Sequence, residues 1–235
     1  MWTHAQTAVR QRLVACDWSR GRLSQPPSPG SPPQLLAITA GDHGRGRDLT
    51  AWLQALGAAG LPAVLLREAQ LDAHELDKLV ASALNAIETV IVHARCINAV
   101  ALCKQHPRLG LHLSASFDST KLSDALWAKT SVSCHNQQEL LAASSNGARF
   151  SLLSPVYRPL SKPRDERKPL GAKRFFELSA DRPVLALGGI TPQRHQQLLQ
   201  TGGVGSAVCG ALFSQPSPAQ AVLTLRSFST QAQDN

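Results

Sequence analysis

Eight short apolar runs recur along residues 35–209, and a stretch with helical spacing follows each one. They are LLAIT (35–39), PAVLL (62–66), ETVIV (88–92), LGLHL (109–113), TSVSC (130–134), RFSLL (149–153), PVLAL (183–187) and GSAVC (205–209). Runs that are continuously apolar, rather than alternating, belong to strands covered on both faces, as in a parallel sheet. Between them, DLTAWLQALGAAG (48–60) has Asp48 at its start and Gly60 past its end. LDAHELDKLVASALNA (71–86) puts Leu76, Leu79, Val80, Ala83 and Leu84 on one side. Helices are also predicted over 95–106, 119–127, 136–147 with Asn136 as cap and Gly147 as stop, 172–179, 191–203 with Thr191 as cap and Pro192 first, and 217–228. Eight such units close into a single (β/α)8 TIM barrel with an N-terminal extension. An open doubly wound sheet is the alternative, although GDHGRGRD (41–48) lacks GxGxxG spacing.

At 235 residues and 43% apolar content the chain can bury a full core. Residues 1–34 are basic and nearly free of acid, Asp17 excepted, and end in the proline-serine linker SQPPSPGSPP (24–33). They read as a flexible leader or an appended helix, with an organellar transit peptide as the other reading. The barrel is expected over 35–229 and a tail over 230–235. No run is long enough for a membrane span and no continuous apolar region marks a secretory signal. The five cysteines (Cys16, Cys96, Cys103, Cys134, Cys209) form no CxxC pair. That pattern fits reduced thiols in a cytoplasmic protein. The formal charge of +8 points to an anionic partner. Basic residues interleaved with aromatics are missing outside 152–171, which argues against nucleic acid and favours a small phosphorylated metabolite, a basic solvated surface being the other reading. An oligomer is compatible with the sequence but not specified by it.

Barrels of this type bind ligands at the carboxyl ends of their strands. Those ends carry Arg67, His93, His112, Ser133 to His135, Ser154 to Lys162, Gly188-Gly189 and Cys209-Gly210. The glycine turns after the last two strands let backbone N–H groups approach an anion, each at the start of a helix. The basic loop with Arg158, Ser161 and Lys162 would overhang the mouth. His135 is the candidate acid–base group; its alternative is a structural hydrogen bond at the head of its own helix. His93 and His112 end neighbouring strands. They read as pocket lining rather than a metal pair, because no acidic third ligand accompanies them. No metal ligand set is assigned. His43, His74, His106 and His195 fall on loops or helix faces.

LLRE (65–68), GLHL (110–113), SVSCHNQQEL (131–140), LSPVYRPLSK (153–162), PLG (169–171), LALGGITP (185–192) and GVGSAVCGALF (203–213) occur in this order. Together they resemble the thiamine phosphate synthase/TenI superfamily, and most nearly its synthase-like domain found fused to Nudix hydrolases. The resemblance implies that Ser161 and Lys162 hold incoming phosphates, and that Gly188, Gly189, Cys209 and Gly210 bind a thiazole phosphate. It also implies that Arg67 belongs to a diphosphate site and that Ser133 lies beside a pyrimidine. The sequence departs from the synthase pattern at Leu65-Leu66-Arg67-Glu68-Ala69, where an amide and a lysine are lost. It departs again at His93-Ala94, where a magnesium ligand is lost, at Phe117-Asp118, and at Arg158-Pro159. A TenI-type, metal-independent thiazole tautomerase with His135 as proton-transfer group is therefore the expectation. An active Mg²⁺-dependent thiamine phosphate synthase and a non-catalytic phosphate-ligand-binding barrel are the alternatives. No cofactor is expected, Mg²⁺ being needed only by an active synthase.

Overall fold

The computed structural model describes residues 32–39, 48–117, 122–158, 167–213, 215 and 217–227. Its elements, in chain order, are Leu35–Ile38 (β1), Leu49–Ala58 (α1), Ala63–Leu66 (β2), Ala73–Ala86 (α2), Thr89–His93 (β3) and Ala99–Gln105 (α3). Then come Leu109–Leu113 (β4), Asp124–Trp127 (α4), Thr130–Cys134 (β5), Gln137–Ser145 (α5), Phe150–Leu153 (β6) and Gly171–Ser179 (α6). Val184–Leu187 (β7), Pro192–Gln200 (α7), Gly205–Val208 (β8), Gly210–Phe213 (α8) and Pro218–Ser227 (α9) complete them. All strands are parallel and neighbours in sequence are neighbours in space. Leu36 on β1 lies opposite Ala63 on β2 and Ala207 on β8, so the sheet closes.

Alternate strand residues serve two cores. Leu36, Ile38, Ala63, Leu65, Ile91, Phe150, Leu152, Leu185 and Ala207 pack inside the barrel. Ala37, Val64, Leu66, Val90, Val92, Leu109 and Leu111 pack outward in the larger core, with helix residues such as Leu53, Leu76 and Phe175. Neither face meets water, which is why the runs do not alternate in polarity. The α2 helix shows the local logic. Asp72 and Glu75 form a reciprocal capping box, and Leu76, Leu79, Val80 and Ala83 are buried. Full burial of each leucine contributes roughly 1.5–3 kcal/mol, and Asp72→Ala would cost about 1 kcal/mol by freeing the first-turn N–H groups.

The expected caps at Asp48, Asn136 and Thr191 each accept a backbone N–H, and Pro192 opens α7. Two helices begin later than the sequence predicts. Residues 95–98 form a turn, and α3 starts after Asn98, whose φ of 55° is left-handed. Of the 119–127 helix, Asp124–Trp127 is seen, and residues 118–121 lie outside the described segments. The four-residue α8 was not anticipated. The leader as far as residue 31, Ser161, Lys162 and the tail 230–235 also lie outside the described residues. No described helix is long and apolar enough to cross a membrane.

Candidate functional site

Strand parity carries the interior face to the barrel mouth. Two residues beyond the interior Leu65 and Ile91 come Arg67 and His93; His112 lies opposite His93 on β4 and opposite Ser131 on β5. The His93 and His112 rings are tilted against each other with centroids 5.4 Å apart. His112 is buried, and its Nδ1 and Nε2 lie 2.8 Å from Ser131 Oγ and 2.8 Å from Ser133 Oγ. Ser131 Oγ donates to Leu111 O at 3.5 Å, so its lone pairs take the Nδ1–H of His112. The neutral ring then accepts the Ser133 proton at Nε2. Burial, reinforced by His93 and Arg67, pushes the His112 pKa down to about 3.

His93 is held from the other side. Its Nδ1 accepts the Arg95 backbone N–H at 3.0 Å. Burial first, then the charges of Arg67 and Arg95, lower its pKa to about 4. Beneath Arg67, Thr39 Oγ1 accepts the Arg67 backbone N–H at 2.9 Å and donates to Glu68 Oε1, while Gln70 Nε2 donates to Glu68 Oε2 at 2.8 Å. Glu68 is a buried carboxylate that fixes the end of β2.

His135 follows β5 on the same parity as Ser131 and Ser133. Its side chain is 32% exposed, and its Nδ1 lies 3.0 Å from Glu139 Oε2. The same oxygen accepts the His135 backbone N–H at 2.8 Å, and Glu139 Oε1 accepts Asn136 Nδ2 at 2.7 Å. Glu139 N–H in turn donates to Asn136 Oδ1 at 2.9 Å, closing the helix cap. A carboxylate on Nδ1 keeps the proton there and leaves Nε2 as the basic lone pair. The structural hydrogen bond at the head of the helix and the acid–base orientation are thus one arrangement.

On the opposite arc, the chain after β6 runs against the turn after β7. Val156 N donates to Leu187 O at 2.8 Å and Tyr157 N to Gly188 O at 3.1 Å. Gly188 and Gly189 have φ of 98° and 62°. A Cβ on Gly189 would stand 2.6 Å from Arg158 O. Their glycine character therefore answers first to this protein contact, which the sequence reading had not foreseen. Arg194, in the first turn of α7, donates to Gly189 O at 2.6 Å and lies 4.3 Å above the Tyr157 ring. Gly210 differs: a Cβ there would meet no atom of the described residues within 4 Å. Cys209 is half-buried against the interior core, and Arg158 is exposed.

Strand ends thus bring Arg67, His93, His112, Ser133 and His135 to one arc, and Gly188, Gly189, Cys209 and Gly210 to the other. Glu139, Ser131, Tyr157 and Arg194 were missed. The Asn136-x-x-Glu139 capping spacing was the available signal for Glu139.

Mg²⁺ requires several oxygen donors in octahedral geometry. Among the described residues the mouth offers imidazoles, hydroxyls and a guanidinium, and both oxygens of Glu68 already accept hydrogen bonds. No group of three or more His, Cys, Asp or Glu with metal-binding placement occurs among the described residues. These described residues do not fit Mg²⁺.

A closed parallel (β/α)8 barrel with polar and glycine-containing strand ends defines the class, a TIM barrel, a fold whose characterised enzymes carry their sites at the carboxyl-terminal mouth. The family model for thiamine monophosphate synthase (TMP-TENI) matches residues 35–212, and the chain belongs to that thiamine monophosphate synthase/TenI family. A thiamine-phosphate synthase of Geobacillus kaustophilus is 34% identical over 97 residues, covering 40% of this chain and 43% of that protein. This match thus spans less than half the length of that relative. A Geobacter sulfurreducens protein provisionally named thiamine-phosphate synthase is 29% identical over 199 residues, covering 81% of this chain and 93% of its own. The solved thiamine phosphate pyrophosphorylase of Pyrococcus furiosus superposes with a TM-score of 0.65 at 19% identity, covering 83% of this chain and 94% of that one. That likeness shows the fold.

Proposed function

We propose that this chain is a cytoplasmic enzyme of thiamine biosynthesis. It binds a thiazole phosphate at the barrel mouth and shifts a proton on it, a metal-independent tautomerase-like isomerisation. The observation that carries the reading is the His135–Glu139 pair, 3.0 Å apart. His135 Nε2 removes a proton from one position of the ring, Glu139 holds the resulting imidazolium, and the same proton returns at another position. Atoms and charge balance without a second reactant. The phosphate would sit at Gly210, where no atom of the described residues fills the space a side chain would take, and Lys162 and Ser161 would supply further contacts to it. Gly188 and Gly189 would present their turn to the same phosphate.

The departures at Leu65, Ala69, His93 and Ala94 favour this reading over diphosphate chemistry. The names of the relatives favour a second one, a Mg²⁺-dependent transfer that joins a pyrimidine diphosphate to the thiazole phosphate and releases pyrophosphate. Incubation with both precursors, with and without Mg²⁺, followed by chromatography separates the two. The first expects a thiazole isomer without metal, abolished in His135→Asn with thiazole phosphate binding retained. Full turnover by that variant overturns it. Pyrophosphate release that depends on Mg²⁺ establishes the second. Binding that stabilises the protein with no product in either arm leaves a non-catalytic barrel.

A further inference from the structure

Two imidazoles packed at the mouth beside a guanidinium are an unusual lining, and their hydrogen bonds fix what each can offer. His112 has both ring nitrogens taken by Ser131 and Ser133. It presents neither a lone pair nor a free N–H, so the pair cannot chelate a metal between them. His93 differs. Among the described residues its ring makes one hydrogen bond, at Nδ1, which accepts the Arg95 backbone N–H. A neutral imidazole that accepts at Nδ1 must carry its proton at Nε2. The ring is therefore a donor of one defined polarity, set by a backbone amide that cannot rotate away.

We propose that His93 is a fixed, uncharged N–H donor that joins the positive charge of Arg67 in holding an anionic oxygen of the ligand, without a metal ion. The ligand group is a phosphate, diphosphate or carboxylate. The assignment rests on the mouth being the binding site, as proposed above, and adds how its β2–β4 arc reads the ligand. Arg67 supplies the charge and a fork of N–H donors. His93 adds one further N–H donor of fixed direction and no charge, and so does not itself alter the charge of the β2–β4 arc with pH. Burial first, then the charges of Arg67 at the end of β2 and Arg95 on its own loop, keep His93 neutral, against the opposing pull of the buried Glu68 carboxylate beside Arg67. With a pKa of about 4, the ring stays neutral at every pH at which the protein would work.

Isothermal titration in EDTA at pH 7.5 tests this, with inorganic phosphate, inorganic pyrophosphate and thiazole-2-carboxylate as separate probes. Wild type is expected to bind at least one, and the probe that binds identifies the anionic group. His93→Leu should weaken that probe by roughly ten- to hundredfold, the range for a hydrogen bond to a charged group. His93→Gln, which restores an N–H donor, should recover most of the loss. Between pH 5 and 8 the wild-type affinity should follow the ionisation of the probe alone. Equal binding by wild type and His93→Leu overturns the proposal. So does binding that vanishes in EDTA and returns with Mg²⁺ or Zn²⁺, or a tightening near pH 6.5 that His93→Gln removes. If His93→Leu does not fold, the pH profile and His93→Gln still decide. No binding of any probe to wild type overturns the mouth reading itself, a result distinct from binding that ignores His93.

Discussion

Gly189→Ala is expected to destabilise the barrel while Gly210→Ala leaves it standing, although both glycines follow strands at the mouth. At Gly189 the backbone φ is 62°, a left-handed conformation that costs an alanine roughly 1–2 kcal/mol. The new methyl would also stand 2.6 Å from Arg158 O and 2.8 Å from Tyr157 Cβ. Those atoms cannot easily yield. Tyr157 N is bonded to Gly188 O, Val156 N to Leu187 O, and Gly171 N to Val156 O. Arg194 adds its bond to Gly189 O and its contact with the Tyr157 ring. Overpacking of this kind costs about 1–3 kcal/mol, so the total is on the order of 2–5 kcal/mol. For a domain of this size that is a fall in Tm of roughly 5–15 °C. Gly210 has no positive φ and no neighbour for a Cβ, so Gly210→Ala should lie within about 0.5 kcal/mol of wild type. It should nonetheless weaken phosphate binding, because the methyl occupies the proposed anion position. Thermal unfolding by circular dichroism, with and without inorganic phosphate, reads both variants. A Gly189→Ala protein that melts within 2 °C of wild type would refute the packing argument. A Gly210→Ala protein that keeps full phosphate stabilisation would refute the anion assignment.

The buried histidines make stability depend on pH. In the fold, His93, His112 and His195 have pKa values pushed down to about 4, 3 and 4, chiefly by burial. The unfolded chain takes up these protons near pH 6.5 and the folded one does not. Stability is therefore present above pH 6.5 and is lost as pH falls from there toward 4, on the order of 3 kcal/mol for His93 or His195. Urea midpoints at pH 7, 6 and 5 should fall steadily, in a range where carboxylates scarcely titrate; a flat profile would contradict it. Burial raises the thiol pKa of Cys103 to about 12 and of Cys134 to about 11. In peptide-mapped alkylation at pH 8, both should stay unmodified until the protein unfolds, while half-buried Cys209 reacts first among the described thiols. Early labelling of Cys103 would show that the β4 side of the barrel opens.

The strands were legible because a closed parallel barrel leaves no solvent face: LLAI and AVLL are apolar throughout for the same reason that they are buried throughout. Helix heads were legible where a side chain caps, as at Asp48, Asn136 and Thr191. The start of α3 was not, because Asn98 enters left-handed and makes no side-chain cap bond. At the site, sequence order located the strand ends but not what the side chains do there. Gly188-Gly189 reads as a flexible anion turn, yet its shape answers to the chain after β6, a contact from about thirty residues upstream. His195 reads as a helix-face residue and instead bonds Ser206 on β8 at 2.8 Å. Long-range partners such as Ser131 for His112, and Tyr157 for Arg194, leave no mark in local spacing.

Among the described residues, the rings of His93, His112, His135 and His195 lie on or beside strands, and burial separates their chemistry. His93, His112 and His195 are less than 8% exposed, and all three are held neutral. His135 is 32% exposed, and its partner is a carboxylate rather than a hydroxyl or a backbone amide. A group that must gain and lose a proton in each turnover needs solvent or a counter-charge to hold the imidazolium, and His135 has both. Its place in the barrel matters as well. β5 stands two strands from β7, a separation on the order of 10 Å along the rim. A phosphate ester anchored at the glycine turns of β7 and β8 would extend its ring toward β5. The division between an anchoring arc and a reacting arc then follows from strand order. His135, the mouth histidine paired with a carboxylate, lies on that reacting arc.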